Sequence, residues 1–397
     1  MPENLKVLHL FDQYLPNTMN WAYRMMRSIP GTEPWAAAGW MVRNKYFVPE
    51  IRLFVRPLQS RSGWLPDTEW QYGWWVKNLL RVEQRWPLYR LWLTRKLQQE
   101  HPDVLHAHFG PIGYHYLPLA KALGIPLIVS FYGYDYESLT TRKPFWKTRY
   151  AALFKSAAAV VCLGPHGREV LIGQGCPPEK IMIIPMSIPP EAFPYCQRTK
   201  QPGQLRLLQV ATIKEKKGFL YTLQALRTAL EHCPNIHLTI AGERHDRELV
   251  RQMQAFIETN GLEKHIRWLD FLPPDELPAF FAASDVFIHP SCYTADRDSE
   301  GAPAVILEAQ SSGLPVISTT HADISSEVLH GLTGLLAPER DADALCRHIE
   351  RFHRMENDEY QHFSRNARAH VEQYFDVQKN AVLLRELYAR VRDYEGW

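Results

Sequence analysis

The chain is 397 residues long, with 45 Lys plus Arg against 43 Asp plus Glu for a formal charge of +2. That length exceeds what one hydrophobic core supports, so two domains are expected; the balanced charge argues against nucleic acid as the main partner and leaves room for a local anion site. The six cysteines are scattered without a C-x-x-C pair, which fits reduced thiols in the cytoplasm better than a disulfide framework or a zinc site.

"MPENLKVLHLF" does not read as a signal peptide, and with no clean run of about 18 apolar residues a membrane-spanning helix is not expected. Short β-rich apolar runs then alternate with longer helical patterns. Strands are predicted at 6–11, 103–109, 126–132, 159–164 and 181–185, and again at 205–211, 237–242, 266–272, 286–291 and 315–319. This is the rhythm of βαβ units with parallel sheets. The proline-dense, aperiodic stretch 185–203 reads as an interdomain linker, and no strand is expected after Leu336. The fold class is therefore α/β: two Rossmann-like doubly wound domains face a central cleft, one over 1–190 and one over 204–375, with a final helix at about 376–397 crossing back to the first. Ligands in such sheets bind beyond the carboxyl ends of the strands, so the residues just after each strand are the candidates.

In chain order, the first unusual segment is the aromatic, basic stretch 64–99. On a helix, Trp75, Leu79, Val82 and Trp86 would form an apolar stripe beside a basic one of Lys77, Arg81 and Arg85. That suits either an interfacial helix on an anionic membrane surface or ordinary domain packing. In "HAHFG", His106 and His108 share a strand face; with no third ligand evident, no metal is expected, and His108 at the strand end is a candidate to touch substrate. "SFYGYD" places Tyr132, Gly133 and Asp135 at a strand end, where hydroxyls and a carboxylate suit sugar hydroxyls and packing aromatics are the alternative.

In the second half, "ATIKEKKGF" crowds Lys214, Lys216 and Lys217 into a loop before a helix, an arrangement that opposes the helix dipole unless an anion neutralises it. "SEGAPAVILEAQSSG" predicts a helix over about 303–312, with Pro303 in its first turn and Gly313 and Pro315 ending it. Free backbone N–H groups at Gly301 to Ala304 would favour an anion. Glu300 precedes this helix and Glu308 lies inside it, roughly 7.5 Å along the axis from Pro303, so two acids bracket a site for a ligand with both phosphates and hydroxyls. The bland alternative is that Glu300 complements the dipole and Glu308 pairs with a buried base.

Together these residues resemble the retaining GT-B glycosyltransferases of family 4, the "glycosyl transferases group 1" class. "EGAPAVILEA" resembles the E-x7-E signature, "SSGLPVIST" and "HGLTGLL" its continuation, and "KKGF", "TIAGE" and "SDVFIHPS" follow in the family's order. In the first half "DVLHAHFG", "SFYGYD" and "GQGCPPEKIMIIPMSI" resemble members that build exopolysaccharides and other surface glycans. The resemblance implies that Glu308 binds the ribose of a nucleotide sugar, Glu300 the hydroxyls of the transferred sugar, and Lys217 the diphosphate. It also implies that Gly301, Ala302 and Ala304 line the sugar and phosphate, with Gly242 and the Phe271–Leu272 region on the donor side. Three positions depart from the family pattern. No glycine-rich turn follows the first strand, leaving Asn17 and Thr18 near the diphosphate; Thr212 stands where an Arg is common, with Lys214 or Lys216 as the compensating charge; and Tyr132 stands where many members have His.

The implied activity is a retaining transfer of a sugar from a UDP- or GDP-sugar donor to an acceptor hydroxyl, with no required cofactor. Glu300, Lys217, Tyr132 and His108 would serve catalysis, and Tyr132, Asp135 and His108 would meet the acceptor. The acceptor is expected to be a glycan, lipid-linked in one version, handled in the cytoplasm or peripherally at the inner face of the membrane. The rival readings are a silent GT-B nucleotide-sugar-binding or regulatory protein and a sugar-nucleotide epimerase.

Overall fold

Strands dense in Val, Ile and Leu bury both faces only when helices cover a parallel sheet on each side, and this chain builds two such sheets. The computed structural model describes residues 4–14, 19–41, 51–55 and 86–393. The first sheet contains β1 (Leu5–Tyr14), β2 (Thr32–Met41), β3 (Arg52–Val55), β4 (Val104–His108), β5 (Leu127–Ser130), β6 (Ala159–Cys162) and β7 (Ile181–Ile183). The second contains β8 (Leu205–Val210), β9 (Ile236–Ala241), β10 (Ile266–Leu269), β11 (Val286–His289), β12 (Val316–Thr319) and β13 (Gly334–Ala337). Their orders are β3-β2-β1-β4-β5-β6-β7 and β10-β9-β8-β11-β12-β13. The order reverses beside β1 and beside β8, and those switch points are where crevices open at the carboxyl ends of doubly wound sheets.

Every run read as a strand from the sequence is one, and three further strands were not foreseen. The buried middle of β2, Trp35 to Ala38, is mostly alanine and carries no alternating pattern; it is a strand because it pairs with β1 from Leu5↔Thr32 to Tyr14↔Met41. β3 is an edge strand of four residues, and β13 lies inside a segment read as a loop. The helix expected over 303–312 runs Ala304–Ser311, with Pro303 as its N-cap and not in its first turn.

The helix Val377–Arg392 packs on the first sheet, where Ala381, Leu384, Leu387 and Tyr388 share a buried cluster with Leu5, Val7, Val104 and Ile128. Its return passes beside the outgoing chain, since Ile188 N–H donates to Phe375 O and Val377 N–H to Ile188 O. The stretch 185–203 is more than a tether. Met186, Ile188 and Phe193 are buried, and the Arg198 guanidinium donates to the carbonyls of Phe281, Ser284 and Ser312. Of the aromatic segment, residues 64–85 lie outside the described residues. Its last part belongs to the helix Trp86–Glu100, which buries Tyr89, Leu93 and Leu97 in the core of the first sheet. Among the described residues no helix is long and apolar enough to cross a membrane, and all six cysteines are free.

Tyr388 is fully buried and its hydroxyl meets His106 Nδ1 at 2.7 Å. Replacing Tyr388 by Ala should cost about 3–5 kcal/mol, as for other buried aromatics, measured as a lowered denaturation midpoint of the first domain.

Candidate active site

The carboxyl edges of the two sheets meet at two glycines. A Cβ on Gly301 would lie 2.4 Å from the carbonyl oxygen of Tyr132, and one on Gly133, at φ +112°, would lie 3.0 Å from the Gly301 nitrogen. Only residues without a side chain permit this approach. Within the second domain Gly218 does similar work: at φ +69°, a Cβ there would sit 1.9 Å from the Pro290 carbonyl oxygen. The lysine loop can therefore lie against the end of β11, where the Glu300 loop begins.

That packing joins the two sequence motifs directly. Lys217 Nζ contacts Glu300 Oε2. Lys216 Nζ lies 3.7 Å from the other Glu300 oxygen, 3.0 Å from Asp298 Oδ1, and donates to Ser299 O. Burial, followed by the charges of Lys216 and Lys214, pushes the Lys217 ammonium well below its usual range, so an anionic partner is needed to hold its charge. Glu308, one-sixth exposed, faces Arg24 Nη1 at 3.9 Å. Arg24 belongs to the helix Asn20–Ser28 of the first domain, so this pair spans the cleft. Burial pushes the Glu308 carboxyl up to about 7, with Arg24 opposing.

The other donor-side candidates lie on the same edge. Thr212 follows β8; Gly242 follows β9 and donates its N–H to Leu269 O. Ala302, Ala304 and Leu272 pack partly buried around one apolar cluster that also takes Trp21 and Tyr132 from the first domain. Phe271 is exposed. Asn17 lies outside the described residues.

The first-domain candidates separate into those that face the cleft and those beneath it. Tyr132 is half-buried between Trp21 and Phe109, with ring centroids 4.7 and 4.8 Å away. His108 is fully buried, with Nδ1 2.6 Å from Tyr132 Oη, Nε2 3.1 Å from His9 Nδ1, and its ring stacked on Phe11. In this conformation His108 reaches the cleft only through Tyr132. Asp135 is fully buried too, accepting from the N–H groups of Gly110 and Tyr132 at 2.9 and 3.0 Å. Burial drives its carboxyl up to about 6 against those donors, and its bonds staple the turn from beneath. His9 is the third histidine that reading 103–109 alone did not supply: ring nitrogens of His9, His106 and His108 lie within 4.8 Å of one another. Burial keeps all three neutral, His106 down at about 3. The two nitrogens of His106 meet the hydroxyls of Tyr388 and Ser130.

The sequence reading missed a polar group that joins the domains. Glu137 of the first domain is buried and accepts from His166 Nε2 at 2.7 Å and, from the second domain, Tyr293 Oη at 2.9 Å and Arg297 Nη2 at 3.1 Å. Burial alone would raise the Glu137 carboxyl, but these donors hold it down at about 2. In return, Asp323 of the second domain accepts from the N–H groups of His166 and Gly167. The nearest signal was an acid following the "YGYD" turn, which carries no periodicity.

Residues 197–370 match the family model of the glycosyl transferases group 1, and residues 63–192 that of glycosyltransferase family 4. A protein of Salmonella typhimurium named as a colanic acid biosynthesis glycosyltransferase, WcaL, is 33% identical over 70% of this chain and 68% of its own. The amylovoran biosynthesis glycosyltransferase AmsK of Erwinia amylovora is 32% identical over 64% and 62%. In fold the chain is similar to HepE of Anabaena, solved with UDP and glucose, at a TM-score of 0.73 and 17% identity over 98% of this chain and 100% of that one. Sucrose-phosphate synthase of Thermosynechococcus elongatus gives a TM-score of 0.76 at 16% identity over 98% and 99%. The chain belongs to glycosyltransferase family 4: its fold is GT-B, and it is an enzyme of the hexosyl-transferring class.

Glu137 raises the His166 imidazolium above its usual 6.5, burial opposing, so its stabilising share is complete below about pH 6.5 and is lost as pH rises through the folded value. The melting-temperature difference between wild type and His166→Gln should therefore be larger at pH 5.5 than at pH 9. Glu308 shifts in the same direction, so it too loses stability as pH rises, here between 4.5 and about 7, but because burial disfavours its charged form. Glu308→Gln should stabilise the protein at pH 8 by on the order of 2 kcal/mol, and less at pH 5, measured by denaturation.

Proposed function

We propose that this enzyme transfers a hexose from a UDP- or GDP-sugar to an acceptor hydroxyl with retention at the anomeric carbon, in assembly of a bacterial exopolysaccharide or related surface glycan. The observation that carries the reading is the largely buried contact of Lys217 with Glu300, eight residues before Glu308 on the same segment. A cation for the diphosphate, an acid for sugar hydroxyls and an acid for ribose thus stand along one strand-end edge. The complex of HepE with UDP and the relatives named for colanic acid and amylovoran biosynthesis support it.

In the reaction the bond from the anomeric carbon to the diphosphate oxygen breaks, and the acceptor oxygen bonds to that carbon on the same face. The acceptor proton passes to the departing oxygen. The protein's work is to position both partners and to stabilise charge on the leaving diphosphate, through Lys217 and the N–H groups at Gly301 to Ala304. Glu308 and Glu300 hold the two ends of the donor. Arg24 and Lys217, their partners in this conformation, would exchange those contacts for the ligand's. Domain closure around Gly133 and Gly301 would exclude water and limit donor hydrolysis.

The division of labour we propose assigns 204–375 to the donor and 1–190, with the helix at 376–397, to the acceptor. Tyr132 would meet the acceptor directly, while His108 and Asp135 act beneath it. A relative from Escherichia coli, 27% identical, is a galactosyltransferase named for a diphosphoundecaprenol-linked acceptor. A lipid-linked glycan taken at the cytoplasmic face of the membrane fits that precedent, with 64–99 the segment to bring the site to an anionic surface.

Donor identity is tested by thermal shift and turnover with UDP-glucose, UDP-galactose, UDP-N-acetylglucosamine, GDP-mannose and GDP-fucose, adding no metal in one arm. Shift and turnover with one of the five are expected. Glu300→Ala and Lys217→Ala, shown to be folded, should lose about 10²- to 10³-fold in rate; full rates in both would remove the site assignment.

A further inference from the structure

The loop 293–300 that ends in Glu300 is tied at both ends to one carboxylate. Glu339 Oε2 accepts directly from Tyr293 N–H at 2.9 Å. Its other oxygen lies 2.7 Å from His321 Nδ1, and His321 Nε2 lies 3.1 Å from the backbone nitrogen of Glu300. A backbone N–H can only donate, so Nε2 carries the lone pair, and the ring proton sits on Nδ1 and is donated to Glu339. The fully buried His321 is thereby held in one tautomer and one orientation, with the Tyr293 ring edge-on at 4.5 Å. Burial alone would raise the Glu339 carboxyl, but the bonds from His321 and Tyr293 keep it below its usual range.

Two features set this pair apart from ordinary loop packing. The residues that follow each member, Ala322 and Arg340, have positive φ of +44° and +61°, and Arg297 within the loop has +60°. Left-handed backbone at non-glycine residues persists where surroundings over-determine it, and it concentrates at working sites. Two residues past His321, the chain also holds the residue that follows Glu300. Asp323 N–H donates to Gly301 O at 3.3 Å, while its carboxylate holds the first domain at His166 and Gly167.

We propose that Glu339 and His321 are positioning residues for transfer: through the Glu300 N–H they set where the Glu300 carboxylate stands when the domains are closed. This rests on the reading of Glu300 as the ligand of the transferred sugar. Lys217 and Glu308 receive no hydrogen bond from the pair, so it governs the rate more than the affinity for the nucleotide.

The test uses full-length protein and whichever of the five nucleotide sugars wild type turns over. His321→Leu removes the acceptor for Glu300 N–H, and kcat should fall about 10- to 100-fold, the size of effect expected from misplacing a reacting group by about 1 Å. Affinity for the matching nucleoside diphosphate, UDP or GDP, should stay within about threefold. His321→Gln, whose amide oxygen can take the Glu300 N–H, should recover about tenfold of that loss, and Glu339→Gln, which keeps the shape but gives up one of the two acceptor oxygens, should lose about three- to tenfold. In a Glu300→Gln background His321→Leu should add little, because both act on one carboxylate. A folded His321→Leu at wild-type kcat, a Gln variant no better than Leu, or losses that multiply with Glu300→Gln would overturn the proposal. If His321→Leu does not fold, the Gln variants decide it: Glu339→Gln at full kcat overturns it. Glu300→Gln at full rate, or no turnover by wild type, would instead remove the underlying site reading and this proposal with it.

Discussion

The contact of Lys217 with Glu300 is the constraint around which this molecule is arranged. Two charges largely withdrawn from water cost more in lost hydration than their attraction returns unless geometry and further hydrogen bonds are good. The chain supplies those with Lys216, Asp298 and the Ser299 carbonyl, and with the close passage of Gly218 under Pro290. An apolar pair would stabilise the same edge at less cost. Keeping an ammonium and a carboxylate there makes sense where a ligand carrying phosphate and hydroxyls takes each in turn.

The same logic extends to the first domain. Arg24 reaches across to Glu308, and Glu137 takes donors from Tyr293 and Arg297, so the strand-end edge of the second domain is braced from the other side of the cleft. Because Gly133 and Gly301 let the backbones approach closely, small domain movements change these contacts sharply. The loop 293–300 is where the effects converge: it carries partners of Glu137, it ends in Glu300, and it is anchored beneath by His321 and Glu339.

How much could be read beforehand depended on range in the chain. The E-x7-E segment, the lysine loop and the strand ends are local patterns, and the structure sets Glu300, Lys217, Lys216 and Gly301 side by side. His108 and Asp135 belong to recognisable motifs, yet their side chains point under the cleft, toward His9 and toward backbone N–H groups, because alternation along a strand or turn does not say which face the other domain will cover. β2 was invisible because Ala36, Ala37 and Ala38 show no periodicity; its strand character comes from pairing with β1. Glu137, His321 and Glu339 looked like ordinary polar residues, since each has meaning only through a partner distant in sequence.

By itself the order of residues determined the alternation of strands and helices, the doubling of that pattern into two sheets, and the chemistry crowded at their carboxyl edges, since these follow from local propensity and short-range spacing. Only the tertiary structure decided which of those groups meet, which are sealed beneath the surface, and which unremarked residues hold them. Those outcomes depend on burial and on hydrogen bonds between segments more than a hundred residues apart, as between Glu137 and Arg297, and no local pattern records them.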